Sequence, residues 1–172
     1  MAKLNIFKKA KEEAKKFLNA TKKESKRVTR KFVNYFAKNA KKKSVDIFEP
    51  GNLLTFNYDA KHKQHKYDKK PLIICLGYSK KYGKKYILGI NLHWFPKSRR
   101  VTIAKLILML KEDHKGKLVY EDVKPLIQLF KNTPMLRMYI VKRISKKVIK
   151  VEDNLFARAA AIDYADWHIP KK

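Results

Sequence analysis

At 172 residues the chain is long enough for one domain of ordinary size with an appendage, and two domains would be cramped. Its 43 lysines and arginines against 15 acids leave a formal charge of +28, which repels itself unless an anionic partner offsets it, so a polyanion is expected. Hydrophobic residues at 45 % exclude a wholly disordered polycation, and no run approaches the roughly 18 apolar residues of a membrane span.

The N-terminal stretch MAKLNIFKKAKEEAKK lacks the continuous apolar core of a secretory signal. Residues 1–43 hold 16 lysines and arginines and 3 acids, which gives +13 in the first quarter of the chain. Leu4, Phe7, Ala14, Phe17 and Leu18, then Val28, Phe32, Tyr35 and Phe36, recur at spacings of three and four and predict one or two basic amphipathic helices. Asn19-Ala20-Thr21 and Thr29 are the points where two helices would meet. Three roles suit such helices: packing on the domain or a partner, laying lysines along phosphates, or resting on a membrane surface. For the phosphate role Lys26, Arg27 and Arg30 are the candidate contacts. Residues 1–46 thus read as a basic helical extension, and 47–172 as an α+β domain.

Glu49-Pro50-Gly51-Asn52 is a turn signal, after which the period shortens from helix to strand. Leu53 to Tyr58, Pro71 to Leu76 and Tyr86 to His93 are short runs rich in aromatic and β-branched residues, which predict three strands. Cys75 lies inside the second run and reads as a small buried hydrophobe; one cysteine builds neither a disulfide nor a zinc site, and a reducing compartment fits. Strands of this length bury a face only by closing up or by taking helices as cover, so the expected fold is α+β: a small antiparallel sheet or partial barrel covered by helices.

Helix periodicity returns at Ser98, placed to cap a helix with a broad face of Val101, Ile103, Ala104, Ile107, Leu108 and Leu110. A second helix runs from Tyr120 to Phe130, with Pro125 starting or kinking it. Leu136, Ile140, Ile144 and Val148 step by four and predict a third, basic helix giving way to a short strand at Val148 to Val151; Lys142, Arg143, Lys146, Lys147 and Lys150 occupy its other faces as phosphate candidates. Leu155 to Ile162 reads as a short alanine-rich helix.

Catalytic patterns are sparse. His62 and His65 stand three apart, but among five nearby lysines that repel a dication, so no metal site or cofactor is expected. Carboxylates are too scattered to suggest a two-metal nuclease, and phosphate-binding glycine loops and nucleophile motifs are absent. The stretch GINLHWFPKSRR, residues 89–100, is the exception in interest. As a strand it sends Asn91 and His93 to one face, where either fixes the exit of the sheet by a hydrogen bond to a neighbouring segment. Alternatively His93, Trp94, Lys97, Arg99 and Arg100 form a stacking and phosphate-binding surface, backed by the amides at the start of the next helix.

Pro50-Gly51, Phe56-x-Tyr58-x-Ala60-Lys61, Tyr67-Asp68-x-x-Pro71-Leu72, Gly89-x-Asn91-x-His93 and Pro96 through Arg100 together resemble the DNA end protectors of T-even-like tailed bacteriophages. The resemblance runs from about residue 50 to 105, with a looser echo at 136–151, and leaves out the lysine-rich first 43 residues. It implies a non-enzymatic protein of the virion, present in the host cytoplasm during assembly, that binds DNA mainly through phosphates at or near the end of the packaged genome. Other phage structural proteins are then its further partners, and a membrane is not. The alternative is a structural neck, tail or baseplate component whose lysines face DNA or acidic subunits. An RNA-binding or ribosomal protein would share the lysine content. With 36 lysines and 7 arginines, base-specific readout is disfavoured, because guanine recognition uses the arginine fork.

Overall fold

The computed structural model describes residues 2–21, 41–42, 45–62, 65–162 and 167–169. Helix α1 (Ala2–Thr21) comes first, then strands β1 (Lys41–Lys42), β2 (Leu53–Tyr58), β3 (Tyr67–Asp68), β4 (Leu72–Ser79) and β5 (Gly83–Asn91). A 3-10 turn at Leu92–Trp94 leads into α2 (Lys97–Asp113) and α3 (Tyr120–Phe130). Strands β6 (Leu136–Ile140) and β7 (Ile144–Lys150), helix α4 (Phe156–Ala161) and strand β8 (Trp167–His168) complete the order. The fold is α+β, as the sequence predicts.

Six strands form one antiparallel sheet in the order β1, β7, β2, β4, β5, β6. Although β6 lies three places from β2 in that order, the Tyr139 ring of β6 meets Phe56 and Tyr58 edge-on at 5.5 and 5.0 Å. The Ile140 N–H also donates to the Tyr58 hydroxyl at 3.3 Å. The sheet therefore curls into a partial barrel, and the three residues Val141–Arg143 suffice to carry the chain from β6 to β7. Two irregularities add twist where the curl needs it. Ile144 and Val148 pair with Tyr58 and Phe56, so residues 145–147 bulge from the ladder. In β4, Gly77 takes φ +91 where the register with β5 shifts.

Alternation along the strands divides the apolar side chains between two cores. Leu54, Phe56, Ile73, Cys75, Ile87 and Val148 fill the inside of the curl. Leu53, Leu72, Ile74, Leu76 and Ile90 meet the helices on the other face. Both faces of β4 are thus buried, which explains its unbroken apolar run. Space inside is tight: a Cβ on Gly89 would stand 2.7 Å from Ile73 Cδ1 and 3.1 Å from its Cβ.

Helix α1 packs on α2 through Ala10 and Ala14, small residues one turn apart that let the helices approach closely. Lys105 and Glu13 tie the pair at 3.4 Å. The buried stripe runs through Ile6, Ala10 and Ala14, and Phe7 instead stands 46 % exposed. At 100° per residue, Phe7 and Ala14 belong to one row and Ile6, Ala10 and Ala14 to the other; the alanines decide because only they allow close packing. Residues Val28 to Phe36 of the predicted stripe lie outside the described residues. At the far end of α2, Lys111 donates to Asp153 at 2.6 Å, and near its start Arg100 donates to the Ile162 carbonyl at 3.2 Å.

Residues 136–147 lie in two strands and the turn between them, not in the expected basic helix, while the short strand expected from Val148 is the end of β7. A step of four is also a multiple of the strand period of two, so Leu136, Ile140, Ile144 and Val148 do not discriminate between the alternatives. Packing inside the curl selects the strand. Ser98 does not cap α2: the helix starts at Lys97 after Pro96, without a side-chain cap, and the Ser98 carbonyl accepts from the Thr102 hydroxyl. Pro125 sits inside α3, which starts five residues earlier, at Tyr120.

The strand predicted to reach His93 stops at Asn91 and turns inward. There Asn91, His93 and Asp68 are all buried. One Asp68 carboxylate oxygen accepts from Asn91 Nδ2 at 3.3 Å and pairs with His93 Nδ1. Its other oxygen accepts from the Lys70 N–H at 3.0 Å, and Asn91 Oδ1 accepts from the His93 N–H at 3.0 Å. These bonds, with the Tyr58 N–H donating to the Lys69 carbonyl at 2.8 Å, hold β3 against the end of the barrel. Strand β3 itself pairs with β8, and the Tyr67 ring stacks on His168 at 4.8 Å.

Two outcomes follow for stability. Asp68→Ala leaves the buried Asn91 and His93 without their acceptor and is expected to cost about 3 kcal/mol in urea unfolding; a cost below about 0.5 kcal/mol would show that the cluster is not an anchor. Burial pushes the Cys75 thiol up to about 12, while an unfolded thiol ionises near about 8.5. The native state therefore holds this proton longer, and stability from the group is complete below the unfolded value and falls as pH rises. Between about pH 9 and 11 the wild type should lose close to 1.4 kcal/mol per pH unit more than Cys75→Ala; equal slopes would contradict this burial.

Candidate nucleic-acid interface

The Asp68 anchor fixes where the basic segment of residues 65–70 lies. On one side of β3, Lys66 extends over the Trp94 ring at 5.5 Å, and the Arg137 guanidinium of β6 approaches the same ring at 4.8 Å. Trp94 is half-buried, and two cations lie within cation–π reach of its ring. On the other side, Lys69 and Lys70 stand exposed at the rim of a groove.

That groove has a volume of about 490 Å³ and runs between the end of β2, β3 and the start of β7. Tyr58 and Tyr67 supply aromatic wall, their rings edge to face at 6.4 Å. Lys69, Lys70 and Arg143 supply positive charge, and Ser145 a hydroxyl. Burial pushes the Tyr58 phenol above its usual range, partly offset by the hydrogen bond from Ile140, so the ring stays neutral and does not repel an anion. Arg143 donates to both the carbonyl and a carboxylate oxygen of Asp59 at 3.3 Å, which holds the guanidinium at the rim.

Beyond the groove, charge continues along β7. Lys142, Lys146 and Lys147 are exposed and Lys150 is half-buried. The bulge at 145–147 takes two of these lysines out of the ladder with β2. In the backbone register, Lys41 and Lys42 of β1 pair with Val148 and Lys147 of β7. The exposed Lys97 and Arg99 open α2 at its uncapped N-terminus, where free amides favour negative charge.

The structure separates the predicted site residues into distinct groups. Arg143 joins the groove, Lys142, Lys146, Lys147 and Lys150 form the β7 stripe, and Lys97 and Arg99 stand at the start of α2. His93 and Arg100 lie inside: the His93 side chain has no exposed surface, and Arg100 spans from α2 to the end of α4. Neither presents its charge to a surface phosphate; of the two roles read for His93, the geometry matches the one that fixes the exit of the sheet. Lys26, Arg27 and Arg30 lie outside the described residues. Sequence reasoning missed the pairing of Tyr58 and Tyr67 with Lys69 and Lys70. Its signal was the aromatic and basic interleaving of residues 56–70, including the Tyr67-Asp68 pair.

Neither the curated proteins nor the solved structures include a match to this chain. A family model does match, over residues 2–163, and so takes in the lysine-rich N-terminal segment that the motif resemblance leaves out. By that match, the chain belongs to the family of the phage T4 terminal DNA protecting protein.

Proposed function

We propose that this protein is a virion-associated DNA-binding protein that occupies the end of a linear phage genome and shields it by occupancy, without catalysis. The observation that carries the reading is the barrel end, where a buried carboxylate holds a basic loop beside an aromatic, cation-lined groove. Family membership supplies the context of DNA termini. The formal charge of +28 supports phosphate contact as the main source of affinity, through counterion release. Lysine-rich contact of this kind fits a target defined by shape and charge rather than by base sequence.

A duplex end differs from duplex interior in two ways a protein can use: it exposes the face of the last base pair, and it frays. Trp94 is suited to the first once Lys66 swings from its ring to a phosphate, since base stacking on an aromatic contributes about 1–3 kcal/mol whatever the base. The β7 lysines and the first turn of α2 then serve the flanking phosphates. A second reading, a structural part of the neck, tail or baseplate, is favoured by exposed apolar side chains on the helices, Phe7 on α1 and Leu129 on α3.

The discriminating experiment is exonuclease digestion of a linear duplex near physiological salt, with excess covalently closed circular DNA as competitor. End binding predicts protection that survives the circles, and protection abolished by them would favour the structural reading. Lys146→Glu with Lys147→Glu should weaken binding to linear and circular DNA alike, by roughly tenfold or more at low salt, and flatten the salt dependence. An unchanged salt slope would remove β7 from the interface.

A further inference from the structure

The groove between Tyr58, Tyr67 and Arg143 has a shape that general duplex binding does not require. Phosphates along a duplex are met by convex or flat basic surfaces such as the β7 stripe, and a recess adds little there. A recess of about 490 Å³ lies in the range of small-molecule sites and has room for one nucleotide unit, not for a stacked base pair with both backbones. Its chemistry is divided accordingly. Tyrosine rings line it beside the buried Ile144, while Lys69, Lys70 and Arg143 outweigh the single carboxylate of Asp59 in its lining.

We propose that this groove is a subsite for the terminal nucleotide of one strand, unpaired from its complement, with the base against the tyrosines and the phosphate among the three cations. This deepens the end-binding reading and rests on it. The Arg143 guanidinium makes two 3.3 Å bonds to Asp59, whose side chain is exposed, so a phosphate can replace the carboxylate without leaving a buried charge exposed. Tyr67 is braced from behind by the stack on His168, and β3 by the Asp68 cluster, so the wall is organised before a nucleotide arrives. Fraying of a terminal base pair costs little, so the strand end is the part of a duplex that a one-nucleotide recess can capture.

The test compares three full-length proteins: wild type, Lys69→Gln with Lys70→Gln and Arg143→Gln, and a control with Lys115→Gln, Lys117→Gln and Lys131→Gln. Both variants lose three positive charges at surface positions, and the control sites do not line the groove. Two readouts are taken: binding to covalently closed circular DNA, and exonuclease protection of a linear duplex in the presence of those circles. The proposal expects both variants to bind circles within about threefold of each other, while the groove variant loses end protection by tenfold or more relative to the control. Equal end protection by the two variants would overturn the groove as a subsite and leave end binding standing. Failure of the wild type itself to protect against the circles would instead overturn the end-binding reading. A 5′-phosphorylated tetranucleotide supplies the direct probe: it should compete for end protection by the control and wild type, and absence of competition at millimolar concentration would also overturn the subsite.

Discussion

The Asp68 carboxylate accepting hydrogen bonds from Asn91 and the Lys70 backbone and pairing with His93 is the interaction on which the rest of the surface depends. Among the described residues it is the one buried carboxylate, and it lies beneath a loop rich in lysine. Left to itself, such a loop would move away from the rest of a strongly basic chain. A satisfied buried carboxylate reverses that tendency locally, because removing any donor would leave charge or dipole without a partner in a low-dielectric interior. The loop is consequently held across the barrel end, with Lys66 at Trp94 and Lys69 and Lys70 at the groove. Order is thus spent on the segment that a nucleic acid would otherwise have to order itself.

Electrostatics elsewhere works in the opposite direction. The run of lysines along β7 makes the free protein carry repulsion that its antiparallel ladder has to outweigh. A polyanion relieves this repulsion, so binding and folding stability are linked through the same side chains. The two apolar cores let the domain tolerate the strain: one fills the curl of the sheet, the other joins sheet to helices α1, α2, α3 and α4. Neither core places a lysine ammonium in its interior; Lys111, the buried lysine among the described residues, is paired with Asp153 at the rim.

Much of this fold was legible from local pattern. Strands β2, β4 and β5 announced themselves by β-branched and aromatic runs between turn signals, and α2 by its broad apolar face. The misread segment, 136–147, failed for a definite reason: apolar residues spaced by four satisfy both periods, and the β-branched content of Ile140, Val141 and Ile144 was the better guide. Two-residue strands such as β1, β3 and β8 have no period to read, and their partners are distant in sequence, so only tertiary structure reveals them. His93 was placed by assuming that the strand continued; the turn after Asn91 sent it inward. The motif fragments Tyr67-Asp68 and Gly89-x-Asn91-x-His93, separate in the sequence, prove to be neighbouring parts of one buried cluster and the tight floor beneath Ile73. The groove could not be seen at all from sequence, because its wall combines β2, β3 and β7.

The most direct test of the account is backbone hydrogen exchange of the full chain at equal saturation with a linear duplex and with a covalently closed circle. If the braced barrel end meets the DNA terminus, exchange at residues 65–70 and 141–147 slows with the linear duplex well beyond the slowing caused by the circle. The same exchange pattern with both DNAs would contradict it, since the barrel end would then be merely part of a uniform basic surface.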